Sequence, residues 1–463
     1  MFFNLAFAEK CDIRRFIMDI NIIVKYIGDF AWGPIMIVFL VGTGLYLTIR
    51  MGLIQIRGFK HAWALISGKY DKKEDEGEVT HFQALCTALS ATIGTGNIAG
   101  VATAITSGGP GAVFWMWVTA VVGMATKFTS CSLSLFFRKF NKDGSVSGGP
   151  MYYLEKGLNQ KWLGVLFAFF ALIASFGIGN MVQANSVAEP LLSSLKIPKH
   201  VTGIVIAFLV WLVIIGGIKR IARVASFIVP FMAVVYVLSS LVIIASNFQH
   251  IPYVIKLILS HALSPTAAAG GFAGATVAQV IRYGVARGVF SNESGLGSAP
   301  MAHAAAKTKY PIREGLVAML GPFVDTIVIC SMTAFVILAT GMWTSGETGA
   351  VLSASAYNTG LPVIGNYTVT FGLVFFAFST MLSWSYYGDR CAQYLFGNKA
   401  VVIYRWVFVL LIIVGAVVQL EFVWNISDAM NGLMAIPNLI GLLALSGLVA
   451  RETRKYMSGS IAS

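Results

Sequence analysis

The chain is divided into long apolar stretches that are separated by short polar segments. Each stretch has about 20 residues, the length that an α-helix needs to cross a bilayer core of roughly 30 Å. Charged residues make up only 11% of the 463 residues and hydrophobic residues 57%, whereas soluble proteins have roughly 25% and 45–50%. The sequence therefore predicts an all-α membrane protein of about eleven transmembrane helices, near residues 30–49, 82–105, 112–137, 162–188, 201–217, 224–246, 274–300, 314–341, 366–388, 400–420 and 428–450.

The positive charges are distributed unevenly between the loops. Although the net charge is +13, most of the 33 Lys and Arg residues fall in alternate loops between the apolar stretches. This asymmetry is typical of cytoplasmic loops that face anionic lipid, and it argues against nucleic-acid binding. We therefore expect a multi-pass protein of the plasma (inner) membrane, with its N-terminus outside and its C-terminus in the cytoplasm.

The predicted helices form one extra helix followed by two groups of five. No loop has the composition of a separate soluble domain, so the chain is interpreted as one membrane domain. The expected divisions are an N-terminal tail at 1–27, the extra helix with a cytoplasmic loop at 28–81, a first five-helix repeat at 82–246, a second at 274–450 and a cytoplasmic tail at 451–463.

Each group of five opens with a helix that is interrupted by glycine-rich polar sequence. The two interruptions are Ser90-Ala-Thr-Ile-Gly-Thr-Gly-Asn97 and Val289-Phe-Ser-Asn-Glu-Ser-Gly-Leu-Gly297. Unwound backbone at bilayer depth is tolerated only where it lines a cavity or is buried in protein. Paired interruptions are typical of secondary transporters, in which half-helix N-termini favour a carboxylate and free carbonyls favour an ammonium or a sodium ion. The alternative is that these glycines only allow close helix packing.

Motifs for enzymatic chemistry and ATP use are absent from the sequence. There is no GxxxxGK[ST] loop, no HExxH and no histidine pair at metal-ligand spacing. The five cysteines are scattered and are interpreted as packing residues. We therefore expect no enzyme, and no nucleic acid, ATP or obligatory protein partner.

Longer strings in and around the interruptions indicate a family. They are Ala91–Gly100, Gly108–Trp117, Gly148–Tyr153, Gly177–Gln183, Arg287–Pro300 and Trp384–Gly388. At these strings the chain resembles the alanine/glycine:cation symporters, also called sodium:alanine symporters, from about residue 28 to 450. The resemblance implies a LeuT-like fold, with a 5+5 inverted repeat, two broken helices and a site near the midplane. It also implies alternating-access import of a small neutral amino acid, alanine or glycine, with sodium as the coupling ion.

The resemblance also implies which residues form the binding sites. The expected sodium site has the carbonyls of Ser90, Ile93 and Phe376 with the hydroxyls of Ser379 and Thr380. The bulk of Trp384, which shares a helix face with Thr380, would exclude larger side chains. The expected substrate site comprises Thr92, Gly96, Asn97, Gln183, Phe290, Ser291, Asn292, Thr380 and Trp384.

The buried ionisable residues allow more than one interpretation of the ion pairing and of the coupling ion. Glu293 and Lys127 are costly at membrane depth and are expected to pair with each other, unless Glu293 pairs with Arg287 or Arg282. Alternatively, Glu293 carries a proton, and the chain is a proton-coupled transporter of another small amino acid. A channel is disfavoured because the spans have few polar stripes. The sequence does not separate alanine from glycine.

Overall fold

The computed structural model describes residues 22–71, 74–142, 144–267, 272–418 and 421–459. The principal helices are α1 (Ile22–Arg50), α2a (His81–Thr92) with α2b (Gly96–Gly108), α3 (Ala112–Phe136), α4 (Lys161–Ser193), α5 (Lys199–Ile214), α6 (Gly217–Ser246), α7a (Val277–Asn292) with α7b (Ala299–His303), α8 (Pro311–Ala339), α9 (Ile364–Phe396), α10 (Asn398–Val417) and α11 (Val423–Met457). Because helix occupies every predicted span, the all-α class is confirmed.

The number of spans is supported only in part. Within the described residues, eight helices are long and apolar enough to cross a bilayer, and the pair α2a and α2b, bent by 53°, raises this number to nine. Helices α5 and α7a occupy the two remaining predicted positions, but each has only 16 residues. The total of eleven therefore stays a prediction, as do the repeat boundaries. Helix α1 includes residues 22–27 of the predicted tail, and residues 1–21 lie outside the described residues.

The segments that were predicted as loops contain short elements of their own. These elements are short, so their sequences resemble those of loops. The pattern of long apolar stretches therefore does not predict them. They are the helices Ile54–Arg57, Phe59–Ile66, Pro150–Leu158, Ile251–Ser260 and Gly349–Gly360, and an antiparallel hairpin of β1 (Lys139–Phe140) and β2 (Val146–Ser147).

The two broken helices begin in the same way. Thr80 caps α2a and Thr276 caps α7a, and each threonine side chain accepts the backbone N–H of a glutamine three residues on. The side chains of Gln83 and Gln279 in turn accept from the threonine N–H groups, at 3.1 and 2.8 Å. These reciprocal capping boxes fix where each broken helix starts, and so how far into the helix each interruption falls.

Apolar side chains face outward and polar side chains face inward. Ile35, Val38 and Phe227 are more than 70% exposed, whereas Glu314 and Asp325 are fully buried. Water would penalise such a surface, and lipid would not. The polar interior is therefore where a binding site is to be sought.

Candidate functional site

The first helix interruption lies between α2a and α2b. Helix α2a ends at Thr92, and Ile93 has an extended backbone with φ −74° and ψ 91°. The Gly94 N–H donates to Asn97 Oδ1 at 2.8 Å, and the chain resumes as a π-helix at Gly96. The break thus removes the regular helical hydrogen bonds and leaves backbone groups available in the interior.

The second interruption follows α7a. Glu293 caps this helix in the left-handed region with φ 54°, and Gly295 and Gly297 also have positive φ, at 93° and 92°. Asn438 of α11 donates to the Gly295 carbonyl at 2.7 Å. The left-handed backbone therefore turns the chain away from the α7a axis and brings the Glu293 carboxylate into the interior.

A small cavity of about 20 Å³ lies between the two interruptions, which is room for about one water molecule. Its lining contains much of the predicted substrate site, namely Thr92, Gly96, Gln183, Phe290, Thr380 and Trp384. The remaining lining residues were not predicted to bind substrate, and they are Ala91, Gly94, Thr95, Ile178, Glu293 and Asn431.

Three other predicted substrate residues lie beside the cavity and contact α8 instead. The Asn97 amide donates to Asp325 Oδ1 at 2.7 Å and the Ser291 hydroxyl to Asp325 Oδ2 at 2.9 Å. The Asn292 amide donates to the Thr326 hydroxyl at 3.2 Å. Asp325 therefore joins the two broken helices through one buried carboxylate.

The predicted sodium ligands converge beside the same cavity. The Thr380 hydroxyl lies 3.1 Å from the Ser90 carbonyl and 2.9 Å from the Phe376 carbonyl. The Ser379 hydroxyl lies 2.9 Å from the Phe376 carbonyl and 3.5 Å from that of Ser90. Four oxygens of the predicted set thus form one buried cluster between α2a and α9. The fifth residue, Ile93, is buried at the break.

Polar groups without partners face the cavity region. Among the described residues, Gln183 Oε1 and Asn431 Oδ1 are buried without a hydrogen-bond donor. The Glu293 carboxylate accepts from the Trp384 indole N–H at 3.1 Å and from the Ser298 hydroxyl. Buried acceptors of this kind cost free energy unless a donor is supplied. An ammonium group would supply such a donor.

The expected ion pairs of Glu293 are not formed in the part of the chain that the structure describes. Arg282 instead pairs with Asp29 at 2.8 Å, and the Arg287 guanidinium lies 5.6 Å from the centre of the Phe290 ring. The Lys127 ammonium is buried and forms no hydrogen bond and no ion pair within 4 Å to another described residue, although its charge interacts with that of Glu293 at longer range. Within the described residues, the hydrogen bonds to the Glu293 carboxylate therefore come from the neutral Trp384 and Ser298 side chains.

A larger cavity of about 730 Å³ opens at the side predicted to be outside. It lies between α4, α9 and the short helix Gly349–Gly360. Thr95 lines both this vestibule and the small cavity. The vestibule therefore reaches the binding region from one side of the membrane.

The opposite ends of the broken helices are tied together. His81 of α2a and His303 of α7b each bond one oxygen of the buried Glu314 carboxylate of α8. Beside them, Val79 pairs with Ala306 in a β-bridge. Arg138 reinforces this closure by donating to the Ala304, Ala306 and Thr308 carbonyls. The side predicted to be cytoplasmic is closed.

The resemblance extends along nearly the whole sequence. Residues 17–462 match the profile of the sodium:alanine symporter family. The chain belongs to the sodium:alanine symporter family. A sodium/alanine symporter, AgcS, of Methanococcus maripaludis is 51% identical to it over 95% of this chain and 98% of AgcS. An uncharacterised transporter of Haemophilus influenzae is 50% identical over 95% of this chain and 96% of its own length.

Solved structures confirm the LeuT-like fold of this symporter-family member. The crystal structure of MhsT in complex with L-phenylalanine superposes with a TM-score of 0.59 at 13% identity, covering 82% of this chain and 96% of MhsT. Family and fold are those of multi-pass membrane transporters and not of enzymes. Membership of this family makes the chain a sodium-coupled amino-acid symporter.

Proposed function

We propose that the chain imports a small neutral amino acid, alanine or glycine, with the sodium gradient, by alternating access. One observation carries this proposal: Thr380 lines the small cavity and also belongs to the oxygen cluster beside it. An amino acid in the cavity and a sodium ion in the cluster would be neighbours. Each would then stabilise the site for the other, which is the thermodynamic requirement for coupling.

The oxygen cluster has the chemistry that sodium requires. Carbonyls of unwound helix and hydroxyls coordinate sodium in transporters that have broken helices. The Ser379 and Thr380 hydroxyls donate to carbonyls in this structure. Since each hydroxyl also has lone pairs, it can turn them towards a cation while the carbonyls of Ser90 and Phe376 bind the ion directly.

The cavity offers complementary partners to both ends of an amino acid. The start of α2b near Gly96 presents backbone N–H groups that favour a carboxylate. On the other side, the unpaired Gln183 and Asn431 oxygens and the Glu293 carboxylate would receive an ammonium. Since the cavity now has room for about one water molecule, it must widen to admit an amino acid, and the bulk of the buried Trp384 indole would favour a small side chain. The name of the 51% identical AgcS supports alanine.

Alternating access requires that the binding region opens to one side of the membrane at a time, and the two ends of the protein differ in this respect. The vestibule gives entry through Thr95, whereas the contacts among His81, Glu314 and His303 keep the other side closed. Inward opening requires these contacts to separate. We propose that the open vestibule faces outside, in agreement with the distribution of positive charge.

The proposal is tested by uptake of labelled alanine into proteoliposomes, with an inward sodium gradient and then with potassium at equal membrane potential. We expect accumulation with sodium only. The variant Thr380→Val keeps the side-chain size but removes one oxygen from the cluster, so half-maximal uptake should need roughly tenfold more sodium. Thr368→Val, on the exposed face of α9, is the matched control. Equal accumulation with either cation would contradict sodium coupling.

Proton coupling remains the second candidate, because the buried Glu293 carboxylate lines the cavity. A proton carrier at this position would move protons together with the amino acid. Uptake driven by an inward pH gradient without sodium, and abolished in Glu293→Gln, would favour this mechanism. Under sodium coupling, we expect no uptake with the pH gradient alone, and Glu293→Gln to raise the KM for alanine.

A further inference from the structure

A cleft lined by arginines lies far from the binding cavity. It is formed by the end of α1, the short helix Ile54–Arg57 and the end of α11, and has a volume of about 340 Å³. Arg50, Arg57 and Arg454 line it, and no acidic residue among those that the structure describes does so. We propose that this arginine cleft binds the phosphate headgroup of an anionic phospholipid.

The backbone turn after α1 brings these charges to one opening. Gly52 and Leu53 both have left-handed backbones, with φ of 65° and 54°. This reversal of chain direction places Arg57 at the same cleft as Arg50, although α1 ends between the two residues. Non-glycine residues rarely have positive φ, so Leu53 marks an unusual turn. The sharp turn therefore holds two arginines side by side.

The arginine charges are not neutralised within the described part of the chain. None of Arg50, Arg57 and Arg454 forms an ion pair with a described residue there. Arg57 reaches only the Gly52 carbonyl at 3.5 Å, and Arg50 lies 5.7 Å from the centre of the Tyr46 ring. The clustered positive charge therefore favours binding of an external anion with several oxygens. Guanidinium groups bind such oxygens through paired hydrogen bonds.

Apolar surface beside the cleft distinguishes a lipid from a free anion. Ile49, Leu53 and Ile56 are 69%, 50% and 74% exposed and flank the arginines along the chain. Apolar side chains at the end of a spanning helix can pack against the acyl chains of a lipid, while the arginines can bind its phosphate. Basic pockets between helices on the cytoplasmic side are known to take anionic headgroups, and this side is where positive charge places the ends of α1 and α11.

The neighbouring basic residues provide a matched control. Arg451 and Lys455 also lie at the end of α11, but both bond to Glu452 at 3.1 Å. The double variant Arg50→Gln/Arg454→Gln and the control Arg451→Gln/Lys455→Gln remove the same charge from the same end of the molecule. Only the first removes it from the cleft.

The test is binding of phosphatidylglycerol to the full-length protein in detergent, measured by native mass spectrometry against phosphatidylcholine. Since each arginine contributes about fivefold to binding of anionic lipid, we expect roughly thirtyfold weaker retention in the cleft variant and little change in the control. Equal retention in both variants would overturn the proposal. Competition by millimolar inorganic phosphate that removes the lipid completely would also overturn it, and would indicate a free-anion site. Arg57→Gln alone should weaken retention about fivefold, which provides a second variant.

Discussion

At the scale of single residues, Trp384 is positioned by a carboxylate, an aromatic ring and a glycine. The Glu293 carboxylate accepts from its indole N–H, and Tyr387 packs edge-on at 5.5 Å. Gly179, in the π-helical segment of α4, comes so close that a Cβ there would lie 2.2 Å from Trp384 Cβ. The position of the indole, and so the size of the cavity, depends on the absence of a side chain at Gly179.

This close approach predicts that Gly179→Ala displaces Trp384. Overpacking of this kind costs about 1–3 kcal/mol, so the thermal midpoint should fall by a few degrees and alanine uptake should decrease by about tenfold or more. The control is Gly100→Ala, also in a π-helical segment, where a Cβ meets nothing within 4 Å. If both variants transport alanine equally well, Gly179 does not set the position of Trp384.

Much of the candidate site was predictable residue by residue, because its members are polar groups in apolar helices or belong to recognisable strings. Thr92, Gln183, Thr380 and Trp384, which were predicted to bind substrate, line the cavity. Glu293 was visible as a buried acid, but its bond to Trp384 depends on how closely the end of α7a approaches α9. Asn431 was detectable as a polar residue in an apolar stretch. The sequence does not indicate how close Asn431 lies to the other residues that line the cavity.

At the scale of elements, α8 connects the broken helices at two depths. Asp325 bonds Asn97 and Ser291 near the interruptions, and Glu314 bonds His81 and His303 at the closed end. This histidine pair was not predicted, because His81 and His303 lie in different halves of the chain. The matching capping boxes at Thr80 and Thr276, by contrast, are legible in the sequence as Thr-x-x-Gln.

The Asp325 contacts predict different effects for two substitutions. Asp325→Leu removes both carboxylate oxygens. The Asn97 amide then keeps only the backbone carbonyl of residue 325 at 3.2 Å and Cys330 Sγ at 3.3 Å, and the Ser291 hydroxyl keeps only Cys330 Sγ at 3.3 Å. Loss of a good acceptor costs up to about 1–3 kcal/mol for each buried group. Asp325→Asn keeps an oxygen for Asn97 and an amide that can donate to Ser291. We expect the leucine variant to lose several degrees of thermal stability in detergent and the asparagine variant to lose little. Equal stability of both variants would contradict the joining role of Asp325.

The Glu314 contacts predict that weakening the closure exposes a native thiol. His303→Phe keeps a ring but removes the bond to Glu314. Cys391 of α9 is buried with its Sγ 3.7 Å from Met301 Sδ in α7b, so movement of α7b should uncover it. In a protein whose other cysteines are serine, Cys391 should react with maleimide several-fold faster in His303→Phe. His200→Phe, at an exposed position, is the control, and an unchanged rate in His303→Phe would show that this contact does not hold the closure.

At the scale of the whole molecule, the fold follows from the bilayer more than from any single contact. The apolar stretches predicted where the helices lie, because in lipid each backbone must satisfy its hydrogen bonds within a helix. Stretch length does not predict that α5 and α7a have only 16 residues each. It also does not reveal the short helices at the interfaces. These depend on packing between distant segments, such as the β-bridge between Val79 and Ala306.

The central claim is that sodium and the amino acid occupy adjacent sites that share Thr380. The most direct measurement is binding of labelled alanine to the purified protein over a range of sodium concentrations at constant ionic strength. We predict that alanine affinity rises steeply with sodium in the unsubstituted protein, and that Thr380→Val shifts this dependence to roughly tenfold higher sodium while Thr368→Val does not. Alanine binding that is equally tight with and without sodium would contradict the account.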